Sequence, residues 1–170
     1  MGAPSLVSML FEAWKDMDRV VVGLSAQDAG IQMEGGSAFS WTVAHVTNQL
    51  DGYINVRFQG MAAHPLIGNA TFRFGGPGAP SEWTAVQRGV QEVRERARSY
   101  LARLTEDDLD RSIPYDGTLA VLQRAGKLSL RYTLTRIVLH HYYHIGEIAT
   151  KRVLLGHDVG DYPGDLEECL

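Results

Sequence analysis

Three histidines and two tyrosines fill the five positions from His140 to His144 in the stretch RIVLHHYYHIGEIATKRVLLG. Neutral imidazole is a favoured ligand of divalent transition ions, so metal binding is the first chemistry to weigh. On a helix, residues four apart have Cβ atoms about 5–6 Å apart, close enough for His140 and His144 to grip one ion through bonds of about 2.0–2.1 Å. His141 and His144, three apart, are a geometric rival. Periodicity leaves the choice open: His141 sits nearest the centre of the apolar stripe, His144 just inside it and His140 toward one edge. A third ligand must come from elsewhere. His45, on the polar-tinged inner face of an earlier helix, is the candidate, whereas His64 precedes Pro65 at a helix end and His157 follows Gly156; both read as exposed. The competing reading is a set of hydrogen-bonded core histidines. An imidazole buried without partners costs about 1–3 kcal/mol, which weighs against two of them serving packing alone.

Glu147, Gln49 and Tyr143 are the candidates for a catalytic role beside the ligands. Glu147, three residues after His144, is placed to accept a ligand N–H, to act as general base, or to pair with Lys151 at the surface; the surface pair is the simplest reading. Gln49, one turn beyond His45, can reach water on an ion or make an interhelical contact. Asp51 falls off that face and reads as solvated. Tyr142 and Tyr143 read as one packing and one surface residue. The His-Glu-x-x-His signature of metalloproteases is absent, because His141, Tyr142 and Tyr143 fill the interior of the His140–His144 pair.

These residues must be positioned by helices, since apolar residues recur at steps of three and four in four places. The first set is Val7, Leu10, Trp14, Met17, Val21 and Leu24. The second follows GGS, with Trp41, His45, Asn48, Gln49, Gly52 and Val56 on one side, and ends at the glycine- and proline-rich RFGGPGAPSEW. Ser81 is placed to cap the third, which carries Val86, Val90, Val93, Ala97, Leu101 and Leu104. The fourth starts after Ser129, a second N-cap, and runs to Gly156. Between the third and fourth, RSIPYDGTLAVLQRAGKLSL reads as an irregular crossover with a small hairpin, too long for the tight loop of an up-and-down bundle. The loop from Arg73 to Pro80 lacks a following Gly-Lys-Ser/Thr, so it is no phosphate cradle; it reads as a mobile connector or the lip of a cleft.

Composition narrows the function classes. At 170 residues a single domain spanning 1–170 is expected. The 45% hydrophobic and 21% charged fractions fit a soluble globular protein, and a net charge of −4 disfavours nucleic acid as a partner. The lone Cys169 excludes an intrachain disulfide or a thiolate zinc site and suits a reducing cytoplasm. The opening MGAPSLVSMLFEAWKDMDR reads as neither a signal nor a transit peptide, and no run approaches the roughly 18 apolar residues of a membrane span.

The histidine within WTVAHVTNQLDGY, followed almost a hundred residues later by His-x-x-x-His-x-Gly-Glu and an LLG ending, resembles the DinB/YfiT-like superfamily over nearly the whole chain. The resemblance implies an all-α four-helix bundle with crossed up-down-down-up connectivity, commonly a homodimer. It implies a divalent metal, zinc or nickel foremost, held by His45, His140 and His144, with Gly146 fixing the choice of His140 over His141. Three neutral imidazoles leave an ion its full charge and open positions, which suits catalysis. The implied chemistry on a small-molecule substrate is either hydrolysis by activated water or transfer to a low-molecular-weight thiol held as thiolate. The alternative from another class is a non-catalytic metal-binding or interaction module of the same fold.

Overall fold

The structure is a computed structural model that describes residues 4–169; residues 1–3 and 170, the ends of the expected 1–170 span, lie outside the described residues. The fold is mostly helical. Four long helices carry it: α1 (Ser5–Val21), α3 (Phe39–Leu50), α4 (Trp83–Leu101) and α6 (Leu130–Leu154), with the short α2 (Ala26–Ala29) and α5 (Ala120–Ala125) between them. The apolar stripes read from the sequence are the faces that turn inward. Val7, Leu10, Trp14 and Met17 of α1 pack with Leu134, Ile137 and Ile148 of α6, all of them buried. α1 lies along α6, and α3 lies against both α4 and α6.

Helix ends follow from local chemistry. Ser129 Oγ accepts the Tyr132 backbone N–H at 3.2 Å, so the expected cap of α6 is in place. At the other end Gly156, with φ +80°, takes the left-handed conformation that a side chain would resist. The cap of α4 differs from the sequence reading by one residue. The Glu82 carboxylate accepts from Thr84 and Ala85 at 2.9 and 2.5 Å, while the Ser81 backbone N–H donates to Ser40 Oγ at 3.0 Å. Leu104 lies past the end of α4 yet remains buried.

Two corrections concern the second long helix. It does not reach the RFGGPGAPSEW loop: α3 passes at Leu50 into a π-helical segment, Asp51–Phe58, and the chain then turns back over it. That return buries two residues read as exposed. Asp51 is 1% exposed, accepting the His64 backbone N–H at 2.8 Å and the Asn55 amide at 2.9 Å. His64 is 5% exposed, its Nδ1 accepting the Ile67 backbone N–H and its Nε2–H donating to Glu92 at 2.7 Å. His64 is therefore a latch for the 60–69 segment. His157 is half-buried, its Nδ1 accepting from Arg152 Nε at 3.3 Å.

The crossover contains the expected small antiparallel pairing, with β1 (Ser112–Pro114) on β2 (Lys127–Ser129) and Ile113 opposite Leu128, but α5 rather than a turn joins the strands. Among the described residues no helix is long and apolar enough to cross a membrane.

Candidate metal centre

α3 and α6 run antiparallel along one seam, as their side-chain partners show. Thr42 and Ser37 at the α3 start meet Glu147 and Lys151 near the α6 end, and His45 lies opposite His140 and His144. The three imidazoles form a closed set with ring centroids 4.5–5.1 Å apart. One nitrogen from each lies within 4.8 Å of the others, an arrangement that could hold a metal ion. The Nε2 atoms of His140 and His144 are 3.2 Å apart. Two nitrogens bound to one tetrahedral ion at about 2.0–2.1 Å stand about 3.3 Å from each other, so the pair is already at ligand spacing.

The far nitrogens show which way the lone pairs face. Nδ1–H of His45 donates to the Phe72 carbonyl at 2.6 Å, and Nδ1–H of His144 donates to Glu147 Oε2 at 2.6 Å. Each contact puts the proton on Nδ1 and leaves Nε2 bare. The His45 ring also stacks on Trp41 at 4.7 Å and 9°, which fixes its plane. Trp41 is in turn tied by its indole N–H to the Thr71 carbonyl at 2.9 Å. Thus the 70–72 turn, which directly precedes the Arg73–Pro80 loop, orients a candidate ligand through backbone carbonyls.

Burial favours the neutral form of two of the three imidazoles, His45 and His140. Burial lowers the His45 pKa against the opposing Phe72 carbonyl. Burial, then the neighbouring His144 and His45, bring His140 down to about 3. A part-buried imidazole cluster with Nε2 bare on His45 and on His144 fits a borderline-soft divalent cation.

Glu147 does pair with Lys151 as expected, but the pair is not at the surface. The glutamate is half-buried, and besides His144 its carboxylate takes Lys151 Nζ at 2.5 Å and Ser37 Oγ at 3.2 Å. Lys151, itself only 7% exposed, also donates to the Ser37 carbonyl at 2.8 Å. Burial works to raise the Glu147 pKa, but the hydrogen bonds from His144 and Lys151 outweigh it and hold the carboxyl at about 2. The ionised carboxylate therefore orients a candidate ligand. Its partners Ser37 and Thr42 lie more than a hundred residues away in sequence, beyond the reach of periodicity.

The other candidates divide. Gln49 stands one turn after His45 on α3, with its Oε1 buried and without a partner among the described residues. Tyr143 is 73% exposed, though its ring meets His144 edge-on at 4.9 Å. Tyr142 packs against α1 and donates to Asp16 at 3.2 Å. His141 is 2% exposed and makes the Nδ1–H bond to the Ile137 carbonyl at 2.8 Å, a core histidine pointing away from the cluster. A cavity of about 530 Å³ opens beside the seam, lined by Asn48, Gly52, Val56, Arg57 and Pro114 among others and by none of the three histidines. Asn48, Gly52 and Val56 were expected on the His45 face; the π-helical segment, which begins at Asp51, shifts the register of Gly52 and Val56.

The sequence profile of the DinB superfamily matches residues 9–148, most of the chain and all three histidines. The chain belongs to the DinB superfamily. The crystal structure of a conserved protein from Enterococcus faecalis is similar in fold, with a TM-score of 0.66 over 92% of this chain and 99% of that one at 15% sequence identity. No curated protein matches the chain. DinB membership and the three-histidine cluster together fit a metal-binding protein of this superfamily.

Proposed function

We propose that this DinB-superfamily protein is a metal-dependent enzyme in which His45, His140 and His144 hold one divalent transition ion, zinc or nickel foremost. The observation that carries the reading is the orientation of the cluster: Nδ1 of His45 and of His144 are occupied by Phe72 and Glu147, which leaves their Nε2 atoms bare, and the His144 Nε2 stands 3.2 Å from that of His140, at ligand spacing. A divalent ion held there supplies Lewis-acid activation of water, or of a low-molecular-weight thiol, for attack on a small electrophilic substrate. The chain's own residues orient and screen. Glu147 fixes the His144 ring and offsets positive charge, Trp41 and the 70–72 turn fix His45, and the buried α3–α6 seam excludes bulk water on one side. The contacts of α1 with α6 and of α3 with α4 and α6, joined by the long crossover, support a four-helix bundle of crossed up-down-down-up connectivity. A cytoplasmic homodimer is part of the same proposal.

Metal analysis of protein purified without a histidine tag tests the foundation. About one equivalent of a transition metal is expected, and less than about a tenth, with no thermal shift on adding zinc or nickel, removes it. A screen of the loaded protein against electrophiles with and without bacillithiol, mycothiol or glutathione then divides hydrolase from S-transferase. One observation favours the second reading, a non-catalytic metal-binding module: the 530 Å³ cavity is lined by none of the three histidines. Full metal occupancy with no turnover in that screen is its signature.

A further inference from the structure

Three buried polar side-chain atoms on the α3–α6 seam have no hydrogen-bond partner among the described residues: His140 Nδ1, Arg136 Nε and Gln49 Oε1. Arg136 stands one turn before His140 on α6, and Gln49 stands one turn after His45 on α3. Residues so spaced share a helix face, about 5–6 Å apart at Cβ. Because the two helices are antiparallel, both turns extend from the histidine cluster toward the same end of the seam. Tyr53 lies further along that end, close enough to Arg136 for the guanidinium to act on its phenol.

Arg136 is unusual among its neighbours. Arg131 pairs with Asp110 and Glu106, and Arg57 pairs with Asp116, whereas Arg136 pairs with no carboxylate among the described residues. A guanidinium with a buried, unsatisfied N–H next to a candidate metal centre costs stability unless a ligand completes it. Its chemistry selects that ligand. The planar fork of Nε–H and Nη–H matches two oxygens of a carboxylate, and a single unpaired cation suits a monoanion. Gln49 Oε1 is an acceptor and so calls for a donor, an N–H or O–H, on the same molecule.

We propose that Arg136 is the carboxylate anchor of the substrate site, with Gln49 accepting a hydrogen bond from an adjacent N–H or O–H of the same substrate. The substrate class is a small carboxylic acid whose reactive group reaches the three-histidine centre while its carboxylate rests one helical turn away. This rests on the functional reading above for where the reactive group goes, but the anchor itself does not require a metal.

Two measurements keep those readings apart. In EDTA-treated protein, the Arg136 Nε–H resonance, assigned by its loss in Arg136→Lys, is followed while propionate or propionamide is added. A saturable shift with propionate and none with the isosteric neutral amide is expected; no response, or an equal response to both, overturns the anchor. In cobalt-loaded protein, mercaptoacetate, 3-mercaptopropionate and 4-mercaptobutyrate are compared with 2-mercaptoethanol through the sulfur-to-cobalt charge-transfer band. At least one acid should bind about tenfold tighter than the neutral thiol, the worth of one charge-assisted, two-pronged contact. Arg136→Gln should bring that ratio to near one without changing 2-mercaptoethanol binding, and Arg136→Lys should retain only part of it. A preference that survives Arg136→Gln overturns the proposal. Failure to bind cobalt at all sinks the metal reading alone, and the propionate titration then decides the anchor by itself.

Discussion

Replacing Glu147 with glutamine tests how the candidate centre is held, because the structure asks this carboxylate to accept in two directions at once. Oε2 takes the Nδ1–H of His144 at 2.6 Å, and Oε1 takes Lys151 Nζ at 2.5 Å and Ser37 Oγ at 3.2 Å. An amide has one oxygen and one NH2. Turned either way, it faces its NH2 toward a donor, the His144 N–H or the Lys151 ammonium, so one contact becomes a repulsion. If the His144 imidazole loses its orienting acceptor, metal affinity should fall about 10- to 100-fold, or about 1.4–2.8 kcal/mol. Leaving Lys151 without its carboxylate should cost stability separately, since a hydrogen bond to a charged group contributes about 1.5–3 kcal/mol. For a chain of this length that is a fall in Tm of about 3–12 °C.

The two effects can be separated. The double variant Glu147→Met, Lys151→Met replaces a part-buried ion pair with apolar side chains, which commonly restores stability. It should recover much of the lost Tm yet keep the weakened affinity, as read by competition with a chromophoric zinc chelator at pH 7.5. Unchanged affinity in Glu147→Gln, or affinity that recovers together with stability in the double variant, would refute the argument that Glu147 acts by orienting His144.

The remaining predictions concern the rest of α6. His140→Ala should abolish tight metal binding, whereas His141→Ala should leave it intact and destabilise the fold by about 1–3 kcal/mol, as its bond to the Ile137 carbonyl is lost in the core; the opposite pattern in chelator competition would overturn the choice of ligands. Burial, against the raising effect of the Ile137 carbonyl, lowers the His141 pKa to about 3, so the folded state stays neutral while the unfolded chain takes up a proton below about pH 6.5. Stability contributed by the neutral form is therefore full above about 6.5 and falls by up to about 1.4 kcal/mol per pH unit as the pH drops toward 3; urea unfolding of metal-free protein between pH 7 and 5 should show that slope reduced by about one proton in His141→Gln. Gly146 is exposed in mid-helix and a Cβ there would meet nothing within 4 Å, so Gly146→Ala should raise stability by about 0.5–1 kcal/mol. A lower Tm in that variant would show instead that something abuts this face in solution.

What the sequence made legible is what short-range geometry controls. Ser129 as the start of α6, the inward face of α1 and the i, i+4 relation of His140 and His144 are all fixed within a few residues, and each is present in the structure. Choosing His140 over His141 was not available from the apolar stripe, which centred on His141. The stripe marks the side of α6 facing α1, while the histidine cluster faces α3, so the most buried histidine is the one least able to reach it. Asp51 and His64 were misread for a related reason. Their burial arises from the chain folding back across the π-helical segment, a contact 13 residues apart that no helical period encodes. The small hairpin was legible but α5 within it was not, and the choice among the roles open to Glu147 was hidden on the same ground, since Ser37 and Thr42, which help to bury it, lie far away in the chain.

The seam also carries an argument about charge. His45 and His140 add little, because burial lowers the pKa of both and disfavours their charged forms. The Glu147 carboxylate is answered by Lys151, so the two cancel at the end of the seam toward the α6 C-terminus. At the other end Arg136 has no counterpart among the described residues. With a divalent ion held between these ends, the whole seam has an excess of positive charge, concentrated from the ion toward Arg136. A low-dielectric groove with that imbalance favours a ligand bearing negative charge at both points, a deprotonated sulfur or oxygen at the ion and a carboxylate at Arg136. Neutral substrates would leave the guanidinium unsatisfied and should bind more weakly. Loading the metal should therefore tighten carboxylate binding measured at the Arg136 Nε–H, and carboxylate should tighten metal binding by the same factor, since the coupling between two sites is reciprocal. An equal affinity for propionate in metal-free and metal-loaded protein would mean that the two ends of the seam do not act on one ligand field.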